Sequence, residues 1–121
     1  MEIFPKPNLQ LIYVSDIKRS TDFYKTLFNT EPIFQHPRYV AFAAGDKTTF
    51  GLRADGRTPD NTIPRFSEIG IMLSSSQDVD LLFEKWKKNP VIKILHEPRS
   101  EAFGRTFLIE DPDGHIIRIL G

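Results

Sequence analysis

The chain begins twice. LQLIYVSDIKRSTDFYKTLF, residues 9 to 28, and FSEIGIMLSSSQDVDLLFEKW, residues 66 to 86, follow one pattern: an apolar run of strand length, a Ser or Asp step, then an amphipathic helix ending in aromatics. Self-similarity at a fixed period is the signature of a repeat architecture, so each half must build one supersecondary unit. In the first half, Leu9 to Val14 is a strand, and Ser15-Asp16 offers an N-cap oxygen to a helix with the stripe Ser20, Phe23, Tyr24, Leu27 and Phe28. A short strand near Pro32 to Gln35 follows, then Tyr39 to Ala44, a Gly45-Asp46 turn, and Thr48 to Arg53.

The second half repeats that order. Ile69 to Leu73 is a strand, Ser75 and Asp78 form a weak capping box, and Val79, Leu82, Phe83 and Trp86 make the helical stripe, with core packing the default for Trp86. Val91 to Leu95, Arg105 to Glu110 and His115 to Leu120 supply three more strands, the last hairpin being set by DPDG at 111 to 114. The fold class is therefore α+β: tandem βαβββ modules forming a curved mixed sheet, helices on the outer face and a ligand cup on the other. A single α+β sandwich gives the same strings. The expected layout is one domain over 1–121, with module one at about 8–54, a polar Gly/Pro-punctuated linker or flap at about 55–65, and module two at about 66–121.

Composition narrows the chemistry. With no cysteine, disulfide scaffolds, thiolate zinc sites and thiol nucleophiles are excluded, and a cytoplasmic setting is compatible. Sixteen basic and sixteen acidic residues balance, and no basic run exceeds Lys87-Lys88, which argues against nucleic acid as a partner. No apolar run approaches the roughly eighteen residues of a membrane helix, so no membrane partner is expected. Ten Phe, three Tyr and one Trp are many for 121 residues, and some are expected to face a ligand.

VSDIKRSTDFY at 14 to 24, FGRTFLIEDPDGHIIRI at 103 to 119 and the repeat itself resemble the vicinal-oxygen-chelate superfamily, which includes glyoxalase I, extradiol dioxygenases and the fosfomycin and bleomycin resistance proteins. The similarity covers essentially the whole chain. PNLQLIYVSDIKRSTDFY, EPIF, PRYVAF and IPRFSEIGIML further resemble the phenazine antibiotic resistance proteins, which bind griseoluteate-type compounds. The resemblance implies four metal-ligand positions, which fall here on Leu9, Gly51, Glu68 and Arg118. Only Glu68 offers a donor, and a guanidinium brings positive charge where a cation would sit, so no metal and no cofactor are expected. The resemblance also implies a homodimer in which module one of one chain and module two of the other share a cup; a monomeric arrangement with an intra-chain cup also occurs in the superfamily.

Strand parity shows what stands in place of the metal. If Gly51, Glu68 and Arg118 point into the cup, so do Thr49, Arg53, Gly70, Met72 and Ile116. The opposite parity, Phe50, Leu52, Ile69, Ile71, Leu73, Ile117 and Ile119, is uniformly apolar, as a helix-packed face must be. Two glycines on the cup floor with a methionine, a carboxylate and arginines describe a slot for a flat ligand. Arg38, Arg53, Arg105 and Arg118 are candidate anchors for an anion, with a salt bridge to Glu68 as the competing role of Arg118. Tyr39 and Phe42 form a candidate aromatic cluster in module one. In module two the segment EPRSEAFGRTF, residues 97 to 107, contributes Phe103 at an apparent loop tip beside Gly104, and Phe107.

His36, His96 and His115 lie at strand ends and turns, off every ligand position; His96 beside Glu97 and Glu101 leaves a carboxylate–histidine pair as the less favoured acid–base arrangement. No catalytic residue is assigned. The leading expectation is a protein that sequesters a planar aromatic antibiotic or metabolite, phenazine-like, without turnover. The alternative is an enzyme of the same superfamily, lyase or dioxygenase-like, in which a buried Glu68 serves as base.

Overall fold

The computed structural model describes residues 2–121. The first repeat folds as β1 (Leu9–Tyr13), α1 (Ile17–Phe28), β2 (Phe34–His36), β3 (Tyr39–Gly45) and β4 (Thr48–Arg53); the second as β5 (Ile69–Met72), α2 (Ser76–Trp86), β6 (Lys93–Glu101), β7 (Gly104–Glu110) and β8 (Ile116–Leu120). Residues group into two compact units, the first ending at Pro59 and the second spanning Asp60–Gly121. Each unit holds one helix and one four-stranded mixed sheet. The strand orders are the same, β1-β4-β3-β2 and β5-β8-β7-β6, with the first-named pair parallel and the rest antiparallel. No helix among the described residues is long and apolar enough to cross a membrane.

In the first unit the Asp16 carboxylate accepts from the Arg19 amide at 3.0 Å, satisfying an orphan donor and starting α1. Asn29 ends it in the left-handed region, φ 51°. The face it buries carries Phe23, Tyr24 and Leu27. Tyr24 meets Phe50 at 4.9 Å between ring centres, and Phe28 meets Phe42 and Phe50 edge-on at 5.6 and 5.5 Å. These rings fix which side of the sheet faces the helix. Phe42 and Phe50 are register partners across β3 and β4, so the alternating residues between them must face the other way.

The second unit repeats the arrangement with different residues. Ser75 caps α2 by accepting from the Asp78 amide at 3.1 Å, and Phe83 and Trp86 pack on Phe107 at 5.4 and 6.1 Å. Val79, Ile109, Ile117 and Ile119 are fully buried around them. Asp111 closes the last turn by accepting from the amides of Asp113 and His115, while Gly114 takes φ +84°.

Two elements differ from the reading of the sequence. The short strand expected near Pro32 to Gln35 forms two residues later, and the strand expected at Val91 to Leu95 runs from Lys93 to Glu101. Pro98 reads as a strand breaker, yet β6 is an edge strand with irregular pairing between Ile94 and His96 and between His96 and Arg99, where a missing N–H costs no ladder bond. EPRSEAFGRTF is therefore mostly a β-hairpin rather than a loop. Only its tip, at Ala102 and Phe103, is turn.

Candidate functional site

The face of each sheet turned away from its helix is open, and the register places its residues in rows. In the second unit Gly70 pairs with Arg118, which pairs with Leu108; the next row is Met72, Leu120 and Thr106. A Cβ built on Gly70 meets nothing within 4 Å, so the sheet surface there is unfilled. Met72, 81% exposed, stands two residues along the same strand, and Glu68 two residues back.

Arg118 borders this gap with every nitrogen engaged. Its Nε and Nη2 donate to the two oxygens of Glu68 at 2.7 and 3.1 Å, and Nη1 donates to Thr106 Oγ1 at 3.1 Å. Thr106 Oγ1 in turn donates to the Ile119 carbonyl at 2.7 Å. The arrangement is a bidentate fork held from behind by a buried hydroxyl. Phe103, 61% exposed at the hairpin tip, lies with its ring centre 5.9 Å from the guanidinium carbon, within cation–π range. Hydrogen bonding to Arg118 holds the Glu68 carboxyl below its ordinary value, with partial burial opposing, and the same bond keeps Arg118 charged. The pair therefore presents a flat, internally neutralised surface.

The first unit's open face is built differently. Leu11, Gly51 and Ala41 form one row, and Tyr13, Arg53 and Tyr39 the next. A Cβ on Gly51 falls 2.9 Å from Tyr39 Oη and 3.0 Å from Leu11 Cδ1, so the tyrosine lies across the glycine and fills the floor. Of the two floor glycines only Gly70 opens space. Thr49 sits half-buried on this face between Leu9 and Ala43. Arg53 Nε donates to Asp55 Oδ1 at 2.5 Å, and Arg38 Nη1 approaches Asp55 Oδ2 at 3.8 Å. The bond from Arg53 holds the Asp55 carboxyl below its ordinary value. His36, Arg38, Tyr39, Arg53 and Asp55 line an open depression of about 470 Å³.

The structure thus brings Glu68, Gly70, Met72, Phe103 and Arg118 together in one unit, and Arg38, Tyr39, Thr49, Gly51 and Arg53 in the other. Three expected site residues lie elsewhere. Phe42 and Phe107 are wholly buried on the helix-packed faces, because they share parity with Phe50 and Ile119, their register partners. Arg105 also has that parity; its Nε donates to Asp80 Oδ1 on α2 at 2.9 Å and it serves the fold. Tyr13, Asp55 and Thr106 join these two faces without having been singled out, and His36, read only as a strand-end histidine, lines the first. Tyr13 had a legible signal: it shares the parity of Leu9 and Leu11, while Ile12 and Val14 are buried. Asp55, inside a stretch with linker composition, had none.

A divalent metal does not fit these residues. Leucine at 9 and glycine at 51 offer no donor, and the carboxylate of Glu68 is committed to the arginine that stands at the fourth position. No group of three or more His, Asp or Glu among the described residues is placed to hold a metal.

Arg118→Met is expected to lower stability at pH 7 by only about 0.5–1 kcal/mol, because it removes a bidentate pair whose carboxylate is more than a third exposed and stays solvated. The sign with pH follows from the lowered Glu68 pKa. The pair's contribution is present above the ordinary carboxylate value of 4.5 and is lost as pH falls through the lower folded-state value. The difference between parent and variant in urea unfolding should therefore shrink at pH 3, and Glu68→Gln added to Arg118→Met should recover most of the loss at pH 7. A deficit equal at both pH values would remove the ion pair as its cause.

The Glyoxalase-like domain family matches residues 8–121. A phenazine antibiotic resistance protein, EhpR, from Enterobacter agglomerans is 55% identical over 115 residues, covering 93% of this chain and 89% of that one. Among solved structures, a glyoxalase-related enzyme from Fulvimarina pelagi superposes with a TM-score of 0.78 at 18% identity, covering 97% of this chain and 88% of the other. A glyoxalase/bleomycin resistance protein/dioxygenase from Alicyclobacillus acidocaldarius gives 0.74 at 18% identity, with 96% and 92% covered. At that identity the two structures speak to the fold alone. The paired βαβββ units with this shared strand order, together with a family match over nearly the whole length, make the chain a member of the Glyoxalase-like domain family of the vicinal-oxygen-chelate superfamily.

Proposed function

We propose that the chain binds a planar aromatic antibiotic or metabolite, phenazine-like, and confers resistance in the cytoplasm by sequestering it rather than by metal-dependent catalysis. The observation that carries this reading is the unfilled surface over Gly70, bordered by an Arg118–Glu68 pair in which each guanidinium nitrogen donates one hydrogen bond and both carboxylate oxygens accept. A flat ring laid there covers the guanidinium face without breaking a hydrogen bond, and Phe103 and Met72 supply apolar contact at its margin. Each well-placed aromatic pair contributes roughly 0.5–1.5 kcal/mol beyond area burial. The 55% identity to a protein named for phenazine resistance supports the ligand class.

Glu68 is a poor general base in this setting, since both oxygens accept from Arg118 and its pKa is lowered rather than raised. We further propose a homodimer in which the first module of one chain and the second of its partner share a cup. Exposed Phe66 and Phe103 on the second module are consistent with such cover. Sedimentation of the purified protein at micromolar concentration should give twice the chain mass; a monomer that still binds ligand with full affinity would remove the shared cup. For the main reading, incubation with a phenazine should return the compound chemically unchanged by mass spectrometry, with binding unaffected by a chelator. Release of a modified product would point to turnover.

A further inference from the structure

We infer that the Asp55–Gly56 step is a site of spontaneous backbone modification, at which the aspartate converts to isoaspartate with Arg53 as the brake, and that the same dipeptide at Asp113–Gly114 is protected. This stands apart from the proposed ligand. The chain has these two Asp-Gly steps, and in each the following residue lacks the Cβ that would hinder its amide from reaching the aspartate side chain. With the local chemistry equal, the surroundings decide.

Around Asp55 little opposes ring closure. Gly56 is exposed at φ +87°, a Cβ there meets nothing within 4 Å, and its amide makes no hydrogen bond among the described residues. The last backbone bond before it runs from the Ala54 amide to the Arg38 carbonyl at 3.0 Å, and the next joins the Ile63 amide to the Asp60 carbonyl at 3.2 Å. A segment so sparsely bonded opens at little cost. Asp113 is the opposite case, only 5% exposed, with its amide donating to Asp111 Oδ1 at 2.9 Å. The Gly114 amide, which would be the nucleophile, donates to the Asp111 carbonyl at 3.0 Å, and Arg65 donates to the carbonyls of Asp113 and Gly114 at 2.5 and 3.3 Å. Turning that nitrogen onto the Asp113 side chain breaks the turn.

The reaction balances without a co-reactant. The Gly56 nitrogen bonds to Asp55 Cγ, and its proton leaves with the carboxyl hydroxyl as water, giving a succinimide. Water then returns to either ring carbonyl: opening at Cγ restores aspartate, and opening at the backbone carbonyl routes the main chain through Cγ. The isomer has a longer main chain and a carboxylate drawn back to Cα, away from Arg53. Only the neutral acid loses water readily. Arg53 Nε, donating to Asp55 Oδ1 at 2.5 Å, keeps the carboxyl ionised and so slows the step, and Arg38, 3.8 Å from Oδ2, is the other charged group facing it.

The test is to hold the purified protein for weeks at neutral pH and physiological temperature, native and in urea, and to measure isoaspartate in the tryptic peptides Ala54–Arg57 and Thr106–Arg118 by electron-transfer fragmentation. In the native protein the first peptide should accumulate it and the second should not, while in urea both should. Arg53→Gln should raise the native rate at Asp55 severalfold, as the protonated fraction rises when the carboxyl returns toward its ordinary value, and Arg53→Lys should restore part of the brake. Native protein whose first peptide stays free of isoaspartate, or whose two peptides gain it at equal rates, overturns the site. An Arg53→Gln rate no higher than the parent's rejects the brake.

Discussion

Gly70→Trp is expected to abolish binding of a planar aromatic ligand, with a loss of a hundredfold or more, while the protein stays folded. The indole would occupy the space that the ligand needs, and nothing in the second module opposes it, since a Cβ at 70 has no neighbour within 4 Å. Stability should hold or rise slightly, because a glycine inside a strand costs roughly 0.5–1 kcal/mol relative to alanine. The equivalent change in the first module behaves differently. Gly51 lies under Tyr39 and against Leu11, so even Gly51→Ala makes the outer ends of both side chains move and should cost up to about 1 kcal/mol. Thermal melting and ligand titration on the same samples separate the two. A Gly70→Trp protein that bound as tightly as the parent would mean that the ligand lies elsewhere.

Phe107→Ala is expected to destabilise the fold by about 3–5 kcal/mol, a large part of the roughly 5–15 kcal/mol that holds a domain of this size. Phe107 is fully buried and is the ring on which both Phe83 and Trp86 of α2 pack, so its removal leaves a cavity that neither helix nor sheet can close without losing the other contact. Phe42→Ala should fall in the same range, through the loss of its contact with Phe28. Phe103→Ala, four positions from Phe107, should change stability by no more than about 0.5 kcal/mol yet weaken aromatic ligands, because its ring is exposed above Arg118. Urea unfolding of the three variants decides this. A Phe103→Ala loss as large as that of Phe107→Ala would put Phe103 in the core and remove it from the site.

The contrast among these phenylalanines shows where the sequence was legible. Period-two alternation in TTFGLR and IIRIL placed Phe50, Leu52, Ile117 and Ile119 on the helix side, and that much needed only the pleat of a strand. Phe42 and Tyr39 are close along the chain, but three positions in a strand reverse the face. Phe107 stands close to Phe103 in the segment 97 to 107, yet it belongs to β7 (Gly104–Glu110), and its register with Ile119 puts it on the helix side. The partner of Arg105 is Asp80, twenty-five positions away on α2, and no local pattern announces such a pair. Asp55 was hidden by composition. An Asp-Gly step after a strand reads as a turn, and only the geometry shows its carboxylate lying between two arginines.

The unfilled sheet surface over Gly70, at a site poor in metal donors, is expected to hold a flat aromatic molecule and leave it unaltered. The deciding measurement is an equilibrium titration of the purified protein with a phenazine in the presence of EDTA, followed by recovery and mass analysis of the bound compound. Saturable binding at a fixed stoichiometry, with the compound returned intact, is the predicted result. Binding that appears only on adding a divalent metal, or a compound returned with altered mass, would rule out metal-free sequestration.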